Sequence, residues 1–381
     1  MTNVHFLTGW PGFLGRRLLE RLLEVDRKST VAVLVQPRFA KDAKKELLAL
    51  PRPKSSRVRM LVGDIVDMHL GLSGDEYRSL TSEVTRIFHL AAASQLAADR
   101  RALERVNVVG TRNVLELAAD SPNLVRFGHV STVQVAGDRQ GVVDEAELEE
   151  GQRFRNAYEE TKFRAEVIVR KAMSDLPITV FRPSTIIGDS RTGEVDRLGG
   201  PYSLALQLVT SPLRVPVPLP GDGSFPLNVV PSDFVADAML ELARKPEAVG
   251  KTFHLVDPNP MSARKVYERI AEMAGRKPLR LGLSAKASAA LFRLPVIERI
   301  VGGGRTNLDH LNQIVIFNCR NTLELLDGTG IRCPPLDAYL DRLVGRVRQQ
   351  VAAERTARLP EAAIDDPLAP AEPAQDSLAS V

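Results

Sequence analysis

The residues with the most chemical reach in this chain are Tyr158 and Lys162, set one helical turn apart in Tyr158-Glu159-Glu160-Thr161-Lys162. A free phenol titrates near 10, and a nearby ammonium favours its ionised form. The i,i+4 spacing puts both groups on one helix face, so together they can move a proton near neutral pH. Far upstream, an apolar run from Val4 to Leu7 flows into Thr8-Gly9-Trp10-Pro11-Gly12-Phe13-Leu14-Gly15. A strand turning sharply into a helix needs such glycines. Gly9 permits the turn, Gly12 lets backbone approach a pyrophosphate, and Gly15 lets the helix pack on the strand. The helix start at Phe13 and Leu14 then offers free N–H groups and a partial positive charge to phosphates. Either motif alone is weak. Together they point to a nicotinamide-dependent enzyme that moves a hydride and a proton.

These groups need a scaffold, and the sequence supplies one. Apolar strand-like runs occur at Val4–Leu7, Val31–Val35, Val58–Val62, Arg86–Leu90, Val125–Val130 and Ile178–Phe181. Amphipathic stretches lie between them, including Phe13–Leu23, Arg105–Ala118 and Tyr158–Ala172. This alternation predicts an α/β fold, a doubly wound parallel sheet with helices on both faces. After residue 185 the pattern loosens into a stretch rich in Gly, Pro, Ser and Thr. Asp233–Ala243 reads as a helix and Thr252–Val256 as a further strand. From Ser262 the chain reads as mostly helical, ending in an amphipathic helix around Leu336–Val351. We therefore expect a nucleotide-binding domain over residues 1–189, completed by about 228–256. A smaller, mostly helical substrate lobe is expected over 190–227 and 257–355, and a disordered acidic tail over 356–381.

The chain has 381 residues, with a formal net charge of +4. Glu361, Asp365, Asp366, Glu372 and Asp376 lie in a tail without Lys or Arg, so the body before it is more basic than the total. A basic body favours phosphorylated cofactors, acyl-CoA or an acyl-carrier protein. No nucleic-acid recognition motif accompanies the charge. No apolar stretch approaches the ~20 residues that span a bilayer. The start reads as a strand, not a leader, and the only cysteines, Cys319 and Cys333, form neither a metal cluster nor a disulfide framework. A reducing cytoplasm is the expected setting. Oligomeric state is open, a dimer included.

Further motifs follow in order: Gly63-Asp64-Ile65, His89-Leu90-Ala91-Ala92, Asn107-Val108-Val109-Gly110-Thr111, Val130-Ser131-Thr132, and Arg182-Pro183. With the glycine turn and the tyrosine–lysine pair, residues 4 to 256 resemble an extended short-chain dehydrogenase/reductase, a Rossmann-type fold. Arg182-Pro183-Ser184-Thr185-Ile186-Ile187-Gly188-Asp189-Ser190-Arg191-Thr192-Gly193-Glu194 and Val229-Val230-Pro231-Ser232-Asp233-Phe234-Val235 resemble segments of thioester reductases and fatty acyl-CoA reductases, the "male sterility" group. Sugar-nucleotide epimerases usually carry tyrosine where Ala136 stands.

The resemblance implies roles. Tyr158 would give a proton to a substrate carbonyl, Lys162 would hold the nicotinamide ribose, and Thr132 would hydrogen-bond the same carbonyl, with Ser131 as runner-up. Asn107 would be a support residue that bonds main chain or orders a relay water. Asp64 would sit beside adenine, Ile65 would supply a main-chain N–H, and Ala91 and Ala92 would let backbone approach the cofactor ribose. Pro183 would lie at the cofactor after the sixth strand. His89 and His129 are expected to fill strand ends. NAD-binding chains usually carry an acid after the second strand; here Leu34-Val35-Gln36-Pro37-Arg38 has none. Arg38 could fork onto a 2′-phosphate, with Lys41 a second cation, so NADP(H) is favoured over NAD(H). Arg191 could meet an anionic or carbonyl-bearing substrate, or pair with Glu194. Leu204–Val209 and Ala289–Val301 could line an acyl pocket or equally form plain core.

The implied activity is reduction of an acyl thioester, or of the derived aldehyde or ketone, with the acyl group arriving on CoA or a carrier protein. Alternatives are a ketone/alcohol dehydrogenase or epimerase acting on a sterol, polyketide or sugar, and a non-catalytic NADP-binding regulator.

Overall fold

The computed structural model describes residues 3–93, 99–195, 223–273 and 314–358. In chain order its strands are β1 (Val4–Thr8), β2 (Thr30–Val35), β3 (Val58–Val62), β4 (Arg86–His89), β5 (Arg126–Val130), β6 (Gly141–Val143), β7 (Ile178–Pro183), β8 (Thr185–Ile186), β9 (Val229–Val230), β10 (Thr252–Leu255) and β11 (Val315–Phe317). The main sheet runs β3-β2-β1-β4-β5-β7-β10, and every pairing in it is parallel.

The strand order reverses between β1 and β4. Ligands of open parallel sheets bind beyond the strands' carboxyl ends at such a reversal. The register aligns those ends: Thr8 pairs with His89, His89 with His129, and Val130 with Phe181.

Helices cover both faces. On one side α1 (Phe13–Val25) packs Leu18, Leu19, Leu22 and Leu23 onto Leu7, Val31, Val33 and Val35. On the other, Phe6, Ala32, Leu34, Ile87 and Phe127 meet Tyr77 and Leu80 of a helix over Gly74–Glu83, Val114 and Leu117 of one over Gly110–Ala119, and Val169 of one over Ala157–Lys171. Phe6 and Leu7 point to opposite faces because strand side chains alternate. Each such leucine or phenylalanine contributes about 1.5–3 kcal/mol by leaving water. We call these three helices α2, α3 and α4. Two further helices follow, α5 (Ser232–Leu242), which packs beside α1, and α6 (Ala263–Met273).

Among the described residues past Ser262 most lie in helices, and one short strand, β11, interrupts them. β11 pairs parallel with β6 in a small separate sheet, followed by α7 (Arg320–Leu326). Alternation over only three residues is too short to register as a pattern. The final helix, α8 (Leu340–Arg358), extends into the segment expected to be disordered from 356. Val266 and Ile270 of α6 form a second core with Leu336, Tyr339, Leu340 and Leu343. The apolar stretches Leu204–Val209 and Ala289–Val301 lie outside the described residues. Among the described residues no helix is long and apolar enough to cross a membrane.

Candidate active site

The glycine turn sits at the reversal. Gly9 has φ +89°, and a side chain there would press on the Leu90 and Ala91 backbone at 2.8 Å. A side chain at Gly15 would meet the Gly9 carbonyl oxygen at 2.6 Å. The turn therefore brings β1, α1 and the loop after β4 as close as backbone can come. Helix α1 begins at Phe13 with no side-chain cap and no acid in its first turn. The first N–H groups of a helix lack intrahelical partners and carry a partial positive charge, as an anion site requires. The Trp10–Pro11 bond is cis, and Trp10 is buried.

A chain of hydrogen bonds locks the ends of β1 and β4 to the next helix. The Ala91 N–H donates to Thr8 Oγ1 at 3.2 Å, and Thr8 lies 2.8 Å from His89 Nδ1. His89 Nε2 lies 3.0 Å from Thr111 Oγ1, which donates to the Asn107 carbonyl at 2.6 Å. One set of directions satisfies every atom: Nε2 carries the proton, and Nδ1 accepts from Thr8. Burial pushes His89 down to about 3, with the Lys162 charge adding to the shift, so the ring is neutral. His89 is thus a hydrogen-bonded strut as well as a filler of its strand end.

Asn107 lies in a π-turn over Glu104–Val109 that leads into α3, and it is buried. It accepts from the Ala93 N–H at 2.8 Å and donates to the Ala93 carbonyl at 3.1 Å and to Thr161 at 3.0 Å. It splints the loop after β4 to the helix that carries Tyr158 and Lys162. That helix, α4, starts under a cap from Asn156, whose side chain accepts from the Glu159 N–H at 2.9 Å.

Thr132 and Ser131 follow β5, and their hydroxyls part company. Ser131 donates to Glu166 at 2.6 Å. Thr132 accepts from the Gln134 N–H at 3.3 Å and caps the short turn after it. Lys162 is buried, and its ammonium donates to the Val130 carbonyl at 2.8 Å. Burial brings it down to about 8, against the pull of Glu166. The sequence expects this ammonium to draw the phenol down. Instead, desolvation of half-buried Tyr158 pushes the phenol up to about 12, with Glu159 adding to the rise. The Lys162 ammonium donates to the Val130 carbonyl, and desolvation together with the Glu159 charge governs the phenol.

Arg38 is exposed just past the carboxyl end of β2, the strand next to β1. Its Nε donates to Gln36 at 2.9 Å, and its guanidinium lies 4.6 Å from the Phe39 ring centroid. Gln36 in turn donates to Asp64 at 2.8 Å, and Asp64 also accepts from the Val66 N–H. Ile65 is buried and fills the space that the missing side chain of Gly110 leaves. Ala91 and Ala92 line the loop beside Gly9, and Pro183 closes β7, paired with Leu255. Immediately after it, buried Ser184 has a hydroxyl without a partner. A cradle that admits no side chain, an uncapped helix start and an orphaned hydroxyl fit a dinucleotide, with Gly9, Gly12, Phe13, Leu14 and Gly15 at its phosphates.

The Gly188–Glu194 segment is braced differently from the expectation. Asp189 accepts from the Arg191 and Thr192 N–H groups and pairs with Arg17 of α1 at 3.0 Å. Arg191 pairs with Asp237 at 2.9 Å and with Asp233 at 3.4 Å, while Glu194 pairs with Arg17. Asp233 and Asp237 are four apart on α5, a spacing that presents both carboxylates to one cation. Arg191 is therefore tied to α5 and not to Glu194.

Several residues at the site escaped the sequence reading. Thr8, Thr111 and Thr161 complete the bonds above, and Glu166 receives Ser131. Glu166 stands at i+4 from Lys162 and i+8 from Tyr158, a signal that helical periodicity could have exposed.

Residues 7–239 match the profile of the NAD-binding family described as male sterility protein. A fatty acyl-CoA reductase of Drosophila melanogaster (wat) is 27% identical over 62% of this chain and 53% of its own length. The glycine betaine reductase ATRR of Emericella nidulans is 28% identical over 69% of this chain and 21% of its own. The chain thus spans about half or less of these curated relatives. Among solved structures, the terminal R domain of the myxalamid PKS-NRPS pathway is 26% identical with TM-score 0.78, covering 93% of this chain and 91% of that one. The UDP-glucuronic acid 4-epimerase of Bacillus cereus, 18% identical with TM-score 0.66 over 91% of this chain and 99% of its own, shares the fold. Because the family profile runs through the glycine turn, the aligned strand ends and the Tyr158 helix alike, the chain belongs to the NAD-binding male sterility protein family, as an NAD(P)-dependent oxidoreductase of the extended short-chain dehydrogenase/reductase type.

Proposed function

We propose that this chain is an NADPH-dependent reductase of an acyl thioester or the derived aldehyde, with Thr132, Tyr158 and Lys162 as its catalytic set. The observation that carries the reading is the division of labour at the end of β5. Ser131 is spent on Glu166, and Thr132 keeps its O–H available to a substrate oxygen. The bound nicotinamide would supply the hydride. Tyr158, held as a neutral phenol up to about 12, is a proton donor across the neutral range and a poor base there. That protonation state favours reduction over oxidation. Thr132 would steady the carbonyl oxygen as charge develops on it. Lys162 would hold the ribose, and Asn107 would keep the helix and the loop after β4 in register.

Arg38 supports NADPH. It stands exposed at the end of β2 with its guanidinium stacked and tethered, so little freedom is lost when it meets a 2′-phosphate. The named relatives support the thioester class, and a carrier protein or CoA is the proposed bearer of the acyl group. A soluble cytoplasmic setting accords with this chemistry.

The test is NADPH oxidation against a panel of acyl-CoAs, carrier-bound acyl groups, fatty aldehydes, ketosteroids and nucleotide sugars. Turnover of thioesters or aldehydes is expected, rising with chain length over short and medium chains, since each buried CH₂ adds up to ~0.8 kcal/mol. Turnover confined to a nucleotide sugar or a ketosteroid would replace this reading with an epimerase or alcohol dehydrogenase.

A further inference from the structure

The catalytic helix carries a third polar group on its inner face. Glu166 is fully buried one turn beyond Lys162. Arg182 of β7, itself buried, clasps it: Nε lies 3.1 and 3.0 Å from the two carboxylate oxygens and Nη2 lies 2.7 Å from one. Arg170, on the same helix, adds a contact at 3.0 Å. The remaining Arg182 donors reach the Glu147 carbonyl at 2.8 Å and His254 Nε2 of β10 at 3.2 Å. His254 Nδ1 then donates to the Asn318 carbonyl. This clasp holds five segments together, and its one contact with the substrate side is the Ser131 hydroxyl.

We propose that Glu166 is a positioning residue of the reductase site. Its carboxylate turns Ser131 away so that Thr132 faces the substrate, and it supplies the negative charge that keeps the buried Lys162 an ammonium. The inference rests on the proposed roles of Thr132 and Lys162. The ammonium needs that charge. Its partner Val130 is a neutral carbonyl, and the groups that face it from the sheet are His89 of β4 and His129 of β5, both held neutral by burial. Tyr158, on its own helix, is a neutral phenol. Glu166 is thus the anion acting on Lys162. Its own charge is safe: despite burial, Arg182 and Arg170 hold it below the ordinary carboxylate range. Glu145, the other buried carboxylate of the cluster, is spent on the His254, Asn321 and Thr322 N–H groups.

The test is the Lys162 midpoint in Glu166→Gln, followed by side-chain NMR of labelled lysine with the signal assigned from Lys162→Arg. NADPH affinity against pH is measured in parallel. The parent midpoint is expected near 8. Removing the charge should lower it by on the order of one pH unit, and the alkaline loss of NADPH affinity should move with it. Glu166→Asp keeps the charge and should restore the parent midpoint. Ser131→Ala removes only a hydrogen bond and should leave it in place. A folded Glu166→Gln with an unmoved Lys162 midpoint overturns the proposal. If that variant does not fold, carboxyl NMR of the glutamate-labelled parent protein decides: Glu166 is expected to stay a carboxylate from about pH 6 to 9, and a protonated Glu166 in that range overturns the proposal. Failure of the parent protein to bind NADPH would instead overturn the cofactor reading, because the lysine titration does not depend on cofactor.

Discussion

Ser131 and Thr132 are neighbours at the end of β5, yet the Ser131 hydroxyl is buried 2.6 Å from Glu166 and the Thr132 hydroxyl caps the next turn. Adjacent residues of an extended chain point to opposite sides, so the proposed reductase role falls to one of the two. Thr132→Ala should lower kcat by about 10²-fold with a small change in KM, the loss of one donor to a developing oxyanion. Ser131→Ala should lower kcat far less and should lower the melting temperature instead. Steady-state kinetics and thermal melts on both variants check this; a greater kcat loss in Ser131→Ala would reverse the assignment.

Tyr158→Phe should lower turnover by about 10²–10⁴-fold while NADPH binding stays near the parent value, because only the proton donor is lost. The pH dependence has a definite sign. The phenol stays protonated past the neutral range, so it sets no acid or neutral limb. Lys162, at about 8, loses its charge as pH rises, so NADPH affinity and kcat/KM should decline above that value. Profiles that are level through pH 9 would show that the lysine charge is not used.

Arg38→Ala should reduce the preference for NADPH over NADH by about tenfold or more, equivalent to about 1.4 kcal/mol, with NADH affinity spared. Fluorescence titrations with both cofactors measure it. Equal parent affinities for the two would remove Arg38 from the cofactor site.

Acid should destabilise the protein earlier than its carboxylates alone require. Burial pushes His89 and His254 to about 3 and His129 well below its ordinary value. A histidine depressed in the native state contributes stability above its unfolded value near 6.5, and that contribution is lost as pH falls toward the native value. Each imidazole then adds a slope of up to about 1.4 kcal/mol per pH unit. Chemical denaturation at several values between about pH 7.5 and 5 should show stability falling throughout. A level curve there would mean that these rings are not neutral in the native state.

Much of the framework was legible from order alone. The apolar runs and Thr252–Val256 placed all seven strands of the main sheet, and the glycine turn, Asn107 and the Tyr158–Lys162 pair stood at its strand ends and helices. Local chemistry explains why: strand burial, a turn that admits no side chain and a four-residue helical spacing are all short-range properties. The bond of Ser131 to Glu166, the tie of Arg191 to α5 and the elevated Tyr158 phenol were set only by tertiary structure. Each depends on a partner distant in sequence or on loss of water: Glu166 across the sheet end, Asp233 and Asp237 on a later helix, and the enclosure of the phenol. The small β6–β11 sheet likewise joins segments too short for a pattern to reveal. Sequence spacing sets which groups share a helix face. Where a hydroxyl donates, and which charge survives burial, follow from what the fold packs against them.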